Sequence, residues 1–585
     1  MNRHEVKRIF SCVVSASVLL CSACTALPSN TEPQVLRDFS DSAQDKVETP
    51  IQDREPDLLV RDFFVANAQP TQQYQSARAF LTEDNASRWQ PSATVYVVDR
   101  LDVNLASNNP GRDAANAGSK DYLAYQVQGT IVGTLGPGGG FVPRDEKYSD
   151  VVELKKENGQ WRINSLPTRI VVERSELRNR YAQHDLYFFD PSGSVLVADK
   201  RWIYNTNAAI DMNLLSLLLD GASDTLAPGV LNEVPNSAYF AGVKDGAYAF
   251  TGVSSLRKDA QRRLAAQIVW TLAAASVPGP YHLSFDGTQV TAPNSTAVEL
   301  TVEDYPEYNP QASRRSVGTV YALSRGRLTR IYQGRLDPVP GQFGYMENIE
   351  SADIATEKNL VVAVTASGAG ASKASQLMLS TLNGEAIELL HARSLTRPSF
   401  EYGANSLWTV IDGTTVARIS RSADTGEIAQ TEVDTSDVPN AGDHLITSLR
   451  LSYSGVRAAF IIDGAVYVAT VSRPNAGERK LTNVYEYLGK DTRAVSVEWE
   501  PDGSLLVGTA DSQAPVQHVA GDGSITQWLS TSNIIAPVSS LASTGATVYA
   551  SDARTALELN NSDSPFWREV QGLEGTQGKV IVPRY

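Results

Sequence analysis

The period of the apolar positions changes several times along this chain. Ile9 to Leu20 is one short apolar run behind a basic tip of Arg3, Lys7 and Arg8, and it ends in Cys21-Ser22-Ala23-Cys24. Thr25 to about Glu55 is polar and acidic, with Pro28, Pro33 and Pro50. From Asp57 onward, Leu58, Leu59, Val60, Phe63, Phe64 and Ala66 recur at helical spacing, and a second helix is expected at Tyr74–Leu81. Strand-like runs follow at Thr94–Val98, Tyr122–Leu135 and Val151–Leu154, and Asn158-Gly159 marks a hairpin into Trp161-Arg162-Ile163. Helices followed by antiparallel strands predict an α+β domain over 56–175.

A second α+β domain is expected over 183–292. Leu186-Tyr187-Phe188-Phe189 turns at Asp190-Pro191-Ser192-Gly193 and returns as Val195-Leu196-Val197. A helix carrying Leu214, Leu215, Leu218 and Leu219 ends at Gly221. Hairpins are signalled at Asp245-Gly246 and Asp286-Gly287. Between them, Leu264, Ile268, Leu272 and Ala275 share one face of a helix spanning about Ser255–Ala275.

After Val317 the helical period disappears. A turn followed by a strand of small and β-branched residues recurs at Asn359–Val364, Ser406–Val410, Arg457–Ile461, Ser504–Gly508 and Thr547–Ala550. The spacing of roughly 40–50 residues is that of a four-stranded propeller blade. The fold class is therefore multidomain: two α+β domains followed by an all-β propeller-like domain of five to seven blades over 315–585. An irregular pair of β-sandwiches is the alternative for this last region.

The first 24 residues hold all three cysteines, Cys12, Cys21 and Cys24. Basic tip, apolar core, small residues and cysteine are the order of a secretory signal with a lipid-attachment site. Residues 1–23 read as the signal peptide, Cys24 as the position that takes S-diacylglycerol and N-palmitoyl groups, and 24–55 as a disordered acidic tether. Cys21 stands where a lipobox usually carries Leu, and an ordinary secretory signal cut near Ala26 is the other reading. The apolar run of about a dozen residues is too short to span a bilayer. A chain cut before Cys24 keeps no other thiol, so disulfides, cysteine metal sites and a thiol nucleophile are excluded. The expected address is the extracytoplasmic face of the cell membrane, held by the lipid anchor.

Composition is that of a globular protein, 42% hydrophobic and 20% charged. The net charge of −15 argues against nucleic acid as a partner. The six histidines (His4, His184, His282, His391, His444 and His518) have no metal-ligand spacing and read as surface or packing residues. Ser255-Leu256-Arg257-Lys258 has the Ser-x-x-Lys spacing without its companion motifs, so Ser255 reads as a helix cap. Gly133–Gly140 lacks the ending of a phosphate loop and reads as a flexible connection between strands. The acidic pairs Glu303/Asp304 and Asp185/Asp190 read as solvated surface, and Phe400, Tyr402, Trp408, Trp499, Trp528 and Trp567 as packing between blades. No catalytic, metal or cofactor-binding residue is assigned, and no cofactor is expected.

The order of parts resembles the actinobacterial lipoprotein LpqB family. In the second domain, Leu196-Val197-Ala198-Asp199-Lys200-Arg201, Leu217-Leu218-Leu219-Asp220-Gly221, Glu233-Val234-Pro235 and Ala266–Leu272 stand in the order of a GerMN domain. In the first, Ala77–Thr82 and Trp89-Gln90-Pro91 resemble the same family. The resemblance implies a non-enzymatic binding and regulatory role. The implied partner is the extracellular domain of a membrane sensor histidine kinase, MtrB, which signals to MtrA in cell-wall homeostasis and division. It carries over the lipidated cysteine as Cys24. A passive module binding peptidoglycan or another ligand is the alternative. A propeller glycan hydrolase or lyase is a third reading, and it requires a deep pocket with convergent carboxylates.

Overall fold

The computed structural model describes residues 47–106, 121–205, 210–310, 318–368, 373–422, 425–439, 444–560 and 566–584. The signal segment, Cys24 and the tether up to Lys46 lie outside the described residues.

In the first domain Pro56 opens the helix Pro56–Ala66, which buries Leu59, Val60, Phe63 and Phe64. That face packs on a sheet ordered Gln160–Ile163, Phe141–Glu157, Tyr122–Leu135, Val95–Val98, Ile170–Glu173. Asn158 and Gly159 both take positive φ, as a two-residue hairpin turn demands, and set Leu154 opposite Ile163. The second helical segment is Thr71–Arg78 rather than Tyr74–Leu81, and its start is a left-handed turn at Gln72, Gln73 and Tyr74.

The middle domain begins with a long hairpin, Tyr181–Phe189 against Leu196–Tyr204. Asp190 closes its turn by accepting the N–H groups of Ser192, Ser194 and Val195. Helices Ile210–Asp220 and Lys258–Ala274 bury Leu214, Leu218, Leu264, Ile268 and Leu272 in one core with Phe189 and Phe250. The long helix starts at Lys258, and Arg257 rather than Ser255 holds the cap position. Asp286 accepts the N–H groups of Gly252, Val253 and Ser254 and keeps that stretch as a turn, so the capping role expected of Ser255 is not seen.

Among the described residues, the C-terminal region forms six four-stranded antiparallel sheets whose innermost strands neighbour one another in a closed ring. Those strands are Ile349–Ala355, Ser399–Phe400, Ile446–Leu451, Ala494–Trp499, Ser540–Ser543 and Lys579–Ile581. The last comes from the end of the chain and pairs with Tyr321–Ser324, completing the first blade. The ring gathers the inner edge of every sheet at the centre and leaves only short outer edges. The region is thus a six-bladed propeller and not a pair of sandwiches. Trp408, Trp499 and Trp567 are fully buried between its sheets, as packing residues should be.

Candidate functional site

Residues that follow five of the six innermost strands face the other two domains. Thr470 donates to the carbonyl of Thr225 at 2.6 Å, and Asn483 to that of Asp224 at 2.7 Å. Arg457 reaches the carbonyl of Ala198 at 3.2 Å. Asp522 accepts from Gln183 Nε2 at 3.0 Å and Trp202 Nε1 at 3.2 Å. The first domain joins through its glycine loop, where Arg201 donates to the Gly138 carbonyl at 3.2 Å. Gly139, with φ +81°, lies so close to the backbone of Trp202 that an added Cβ would stand 2.2 Å from its carbonyl oxygen. The loop does join two strands, but it is an ordered contact with the middle domain rather than a flexible connection.

Between the three domains lies a cavity of about 490 Å³. Phe141 and Pro143 of the first domain, the Leu196–Lys200 strand segment of the middle domain and the strand exits of the propeller line it. The alternation of the long hairpin decides which side chains do what. Asp199 and Arg201 share one face and form a buried pair at 2.8 Å, which the backbone and hydroxyl of Ser223 complete. Lys200 lies directly across from Asp185 and pairs with it at 2.9 Å.

The floor consists of the residues that leave the innermost strands. Glu401 accepts from Arg418 at 2.8 Å and from the Trp408 indole at 2.7 Å. Burial works against its ionisation, but the hydrogen bond and charge of Arg418 outweigh it and hold the pKa below its ordinary value. Glu500 accepts from Ser543 at 2.9 Å and Ser504 at 3.1 Å and pairs with His518 at 3.0 Å. Beneath the floor is a charged plug on the propeller axis. Arg450 pairs with Glu498 at 3.0 Å and Asp353 at 3.4 Å, and Arg584 and Arg397 each reach Glu498 at 3.1 Å. Burial penalises the Glu498 carboxylate, yet the charges of Arg450, Arg397 and Arg584 hold its pKa at about 2. Arg397, buried and facing Arg450, is pushed down to about 10.

These carboxylates serve as fixed acceptors. A general acid needs a pKa raised toward neutrality, and Glu401 and Glu498 are shifted the other way. Of these two carboxylates only Glu401 lines the pocket. Asp185 and Asp190 do not form an acidic pair, because Asp185 serves Lys200 and Asp190 its own turn. Asp304 caps a short turn with Thr301. Phe400 and Tyr402 line the cavity, whereas Trp528 stands 69% exposed on an outer strand. His518, read from the sequence as a surface or packing residue, is brought to Glu500. Glu401, Glu500, Arg450 and Glu498 escaped the sequence reading. Their signal was a charge within or just after an otherwise uncharged strand, as in Ile446–Leu451 and Ala494–Trp499.

Three family descriptions match in chain order. Lipoprotein LpqB, N-terminal domain, covers 49–178; sporulation and spore germination covers 185–291; the lipoprotein LpqB beta-propeller domain covers 326–583. A lipoprotein LpqB of Corynebacterium diphtheriae is 46% identical over 591 residues, covering all of both chains. The chain belongs to the lipoprotein LpqB family. A second LpqB, from Rhodococcus jostii, is 34% identical over 99% of this chain and 98% of its own. Among solved structures, a periplasmic gluconolactonase from Pseudomonas aeruginosa overlaps 46% of this chain and 100% of its own, at 10% identity and a TM-score of 0.30. Membership of the LpqB lipoproteins makes this an envelope-associated protein. No helix among the described residues is long and apolar enough to cross a membrane.

Proposed function

We propose that this LpqB lipoprotein is anchored through acylated Cys24 on the extracytoplasmic face of the cell membrane and binds the extracellular domain of a two-component sensor kinase of the MtrB type. It thereby modulates signalling to MtrA and affects cell-wall homeostasis and division. In this reading it is a binding protein and not an enzyme. Family membership supports the reading. The observation that carries it is the joint cavity, where three domains are docked on one another and the floor carboxylate Glu401 is held ionised by Arg418 rather than poised to give up a proton. A platform built this way presents a fixed surface to a partner.

The test is site-directed photo-crosslinking of the full chain in native membranes, followed by recovery of the kinase. Recovery of the sensor domain, with altered kinase output when the lipoprotein is depleted, is the expected result. Absence of the kinase from every crosslinked product, with output unchanged on depletion, overturns the proposal. The Cys24→Ala chain is expected in the soluble fraction, still able to bind the kinase's extracellular domain in vitro but without its high local concentration beside it.

A further inference from the structure

We infer that the cleft between the third and fourth blades, residues 399–432 and 446–488, holds a binding site for a phosphate group built on Arg473 and Arg479. The two arginines flank the hairpin that joins the strands Ala465–Ser472 and Lys480–Leu488. Ser472 pairs with Lys480, so Arg473 and Arg479 are the next opposed positions. By the alternation of the strands they continue the face of Val471 and Leu481, which are buried with Trp408 of the third blade. Like charges directly opposite one another on one face repel. An anion between them turns that repulsion into attraction.

No carboxylate fills that place among the described residues. Arg479 Nε stands 3.6 Å from Glu401 Oε1, beyond hydrogen-bond reach. That oxygen already accepts from the Trp408 indole at 2.7 Å and from Arg418 Nε at 2.8 Å, and Arg418 takes the other oxygen at 3.3 Å. The neighbouring acids are engaged elsewhere. Glu478 accepts from the Asn475 amide at 2.7 Å, and Asp434 and Asp437 face Lys480 at 3.8 and 2.9 Å. Arg479 Nη1 donates to the Glu478 carbonyl at 2.8 Å. The Nε groups of Arg473 and Arg479, however, are both buried without an acceptor, and only 9% of the Arg479 side chain is exposed. Buried donors are paired in the great majority of cases, and a bound ion is one of the partners that satisfy them.

The charges around Arg479 set the ligand class. Burial pushes its pKa below the ordinary value, and Arg418 and Arg473 push the same way against the single acid Glu401. Three guanidinium groups thus share one carboxylate, an excess of two positive charges. A carboxylate ligand would leave one of these unmet. A phosphate monoester carries about −1.5 to −2 near neutral pH, with three acceptor oxygens. Guanidinium groups grip such oxygens through paired N–H donors. Arg473 is half-buried and is followed by the exposed residues 474–478, so the site opens on the hairpin side.

The experiment takes the full chain in an uncharged detergent and no kinase, so its outcome is separate from that of the signalling proposal. Inorganic phosphate and glycerol phosphate are titrated by calorimetry near neutral pH. Acetate serves as the carboxylate probe, and dihexanoyl phosphatidic acid as a lipid with the same terminal group. Binding of both phosphate probes, with a rise in melting temperature, is the expected result. Tighter binding of the lipid than of glycerol phosphate assigns the group to a lipid headgroup, and equal binding assigns it to a soluble or polymeric phosphate ester. Arg473→Gln and Arg479→Gln should each weaken phosphate binding by about tenfold, the equivalent of about 1.4 kcal/mol. Arg473→Lys, which keeps the charge, should lose less, and Arg335→Gln, on the outer strand of the first blade, should change nothing. The inference is overturned if no phosphate probe binds, if acetate binds as tightly as phosphate, or if a folded Arg473→Gln chain binds phosphate as well as the parent.

Discussion

Arg450 and Glu498 meet at 3.0 Å on the propeller axis, from the innermost strands of neighbouring blades, and only 1% and 6% of their surfaces reach solvent. Each is also tied further around the ring. Arg450 donates to the Pro398 carbonyl at 2.5 Å, and Glu498 takes Arg584 at 3.1 Å. The pair therefore links two neighbouring blades and receives Arg584 from just beyond the strand that closes the ring.

Glu498→Gln should destabilise the chain by about 3–5 kcal/mol, because it leaves buried guanidinium groups short of an anion. The pH dependence follows from the same carboxylate. Its pKa in the folded chain is about 2, below the value of about 4.3 of an unfolded glutamate. The stabilisation is thus fully present above about pH 4.3 and is lost as pH falls toward 2, amounting to about 3 kcal/mol. Urea unfolding from pH 6 down to pH 3 should show a steeper loss in the parent than in the variant.

The plug also shows what was hard to read in the sequence. Leu58–Ala66, Asn158-Gly159 and the recurring strands announce helix, hairpin and blade through local spacing, and the structure has all three. Arg450 and Glu498 lie 48 residues apart, and only the packing of one blade against the next brings them together. The same is true of the cavity. Glu401, Asp199 and Phe141 belong to three different domains, and no motif links them. Gly138 looked like a connector residue because its contact, Arg201, lies 63 positions further on.

His518 and Glu500 form a pair with the opposite sign of pH dependence. The hydrogen bond that His518 donates to Glu500 raises the His518 pKa above its ordinary value of about 6.5. Asp502 adds to the effect, while partial burial opposes it. The contribution is therefore complete below about pH 6.5 and fades as pH rises through the raised value. The pair is partly exposed, so the effect should be on the order of 1 kcal/mol. Melting temperatures from pH 6 to pH 9 should fall in the parent relative to His518→Gln.

Gly139→Ala should weaken the union of the first two domains. Its φ of +81° disfavours any side chain, and the new methyl would drive against the Trp202 backbone. A cost of about 2–3 kcal/mol is expected, combining backbone strain with the shift needed to relieve the clash. Gly159→Ala is the control, since a Cβ there meets nothing within 4 Å although φ is +78°. It should show the strain alone, and limited proteolysis should cut near residue 140 in the first variant and not in the second.

Trp202 touches every domain at once. Its backbone belongs to the hairpin of the middle domain, its ring is part of the first domain's core, and its indole N–H donates to Asp522 of the propeller. Asp522 also accepts from Gln183 and holds its own turn through Ser524. Replacing Asp522 with Ala leaves the indole and the Gln183 amide without this acceptor, at about 1–3 kcal/mol each if no water replaces it. Neither core is altered by that change, so the loss falls on docking and not on the stability of a single domain. Calorimetry of the parent should show one cooperative transition. In Asp522→Ala the transition should split, with the propeller melting separately from the first two domains. Asp522→Asn, which keeps an acceptor oxygen, should restore most of the cooperativity. A variant that melts in one unshifted transition would show that the three domains are coupled without this contact.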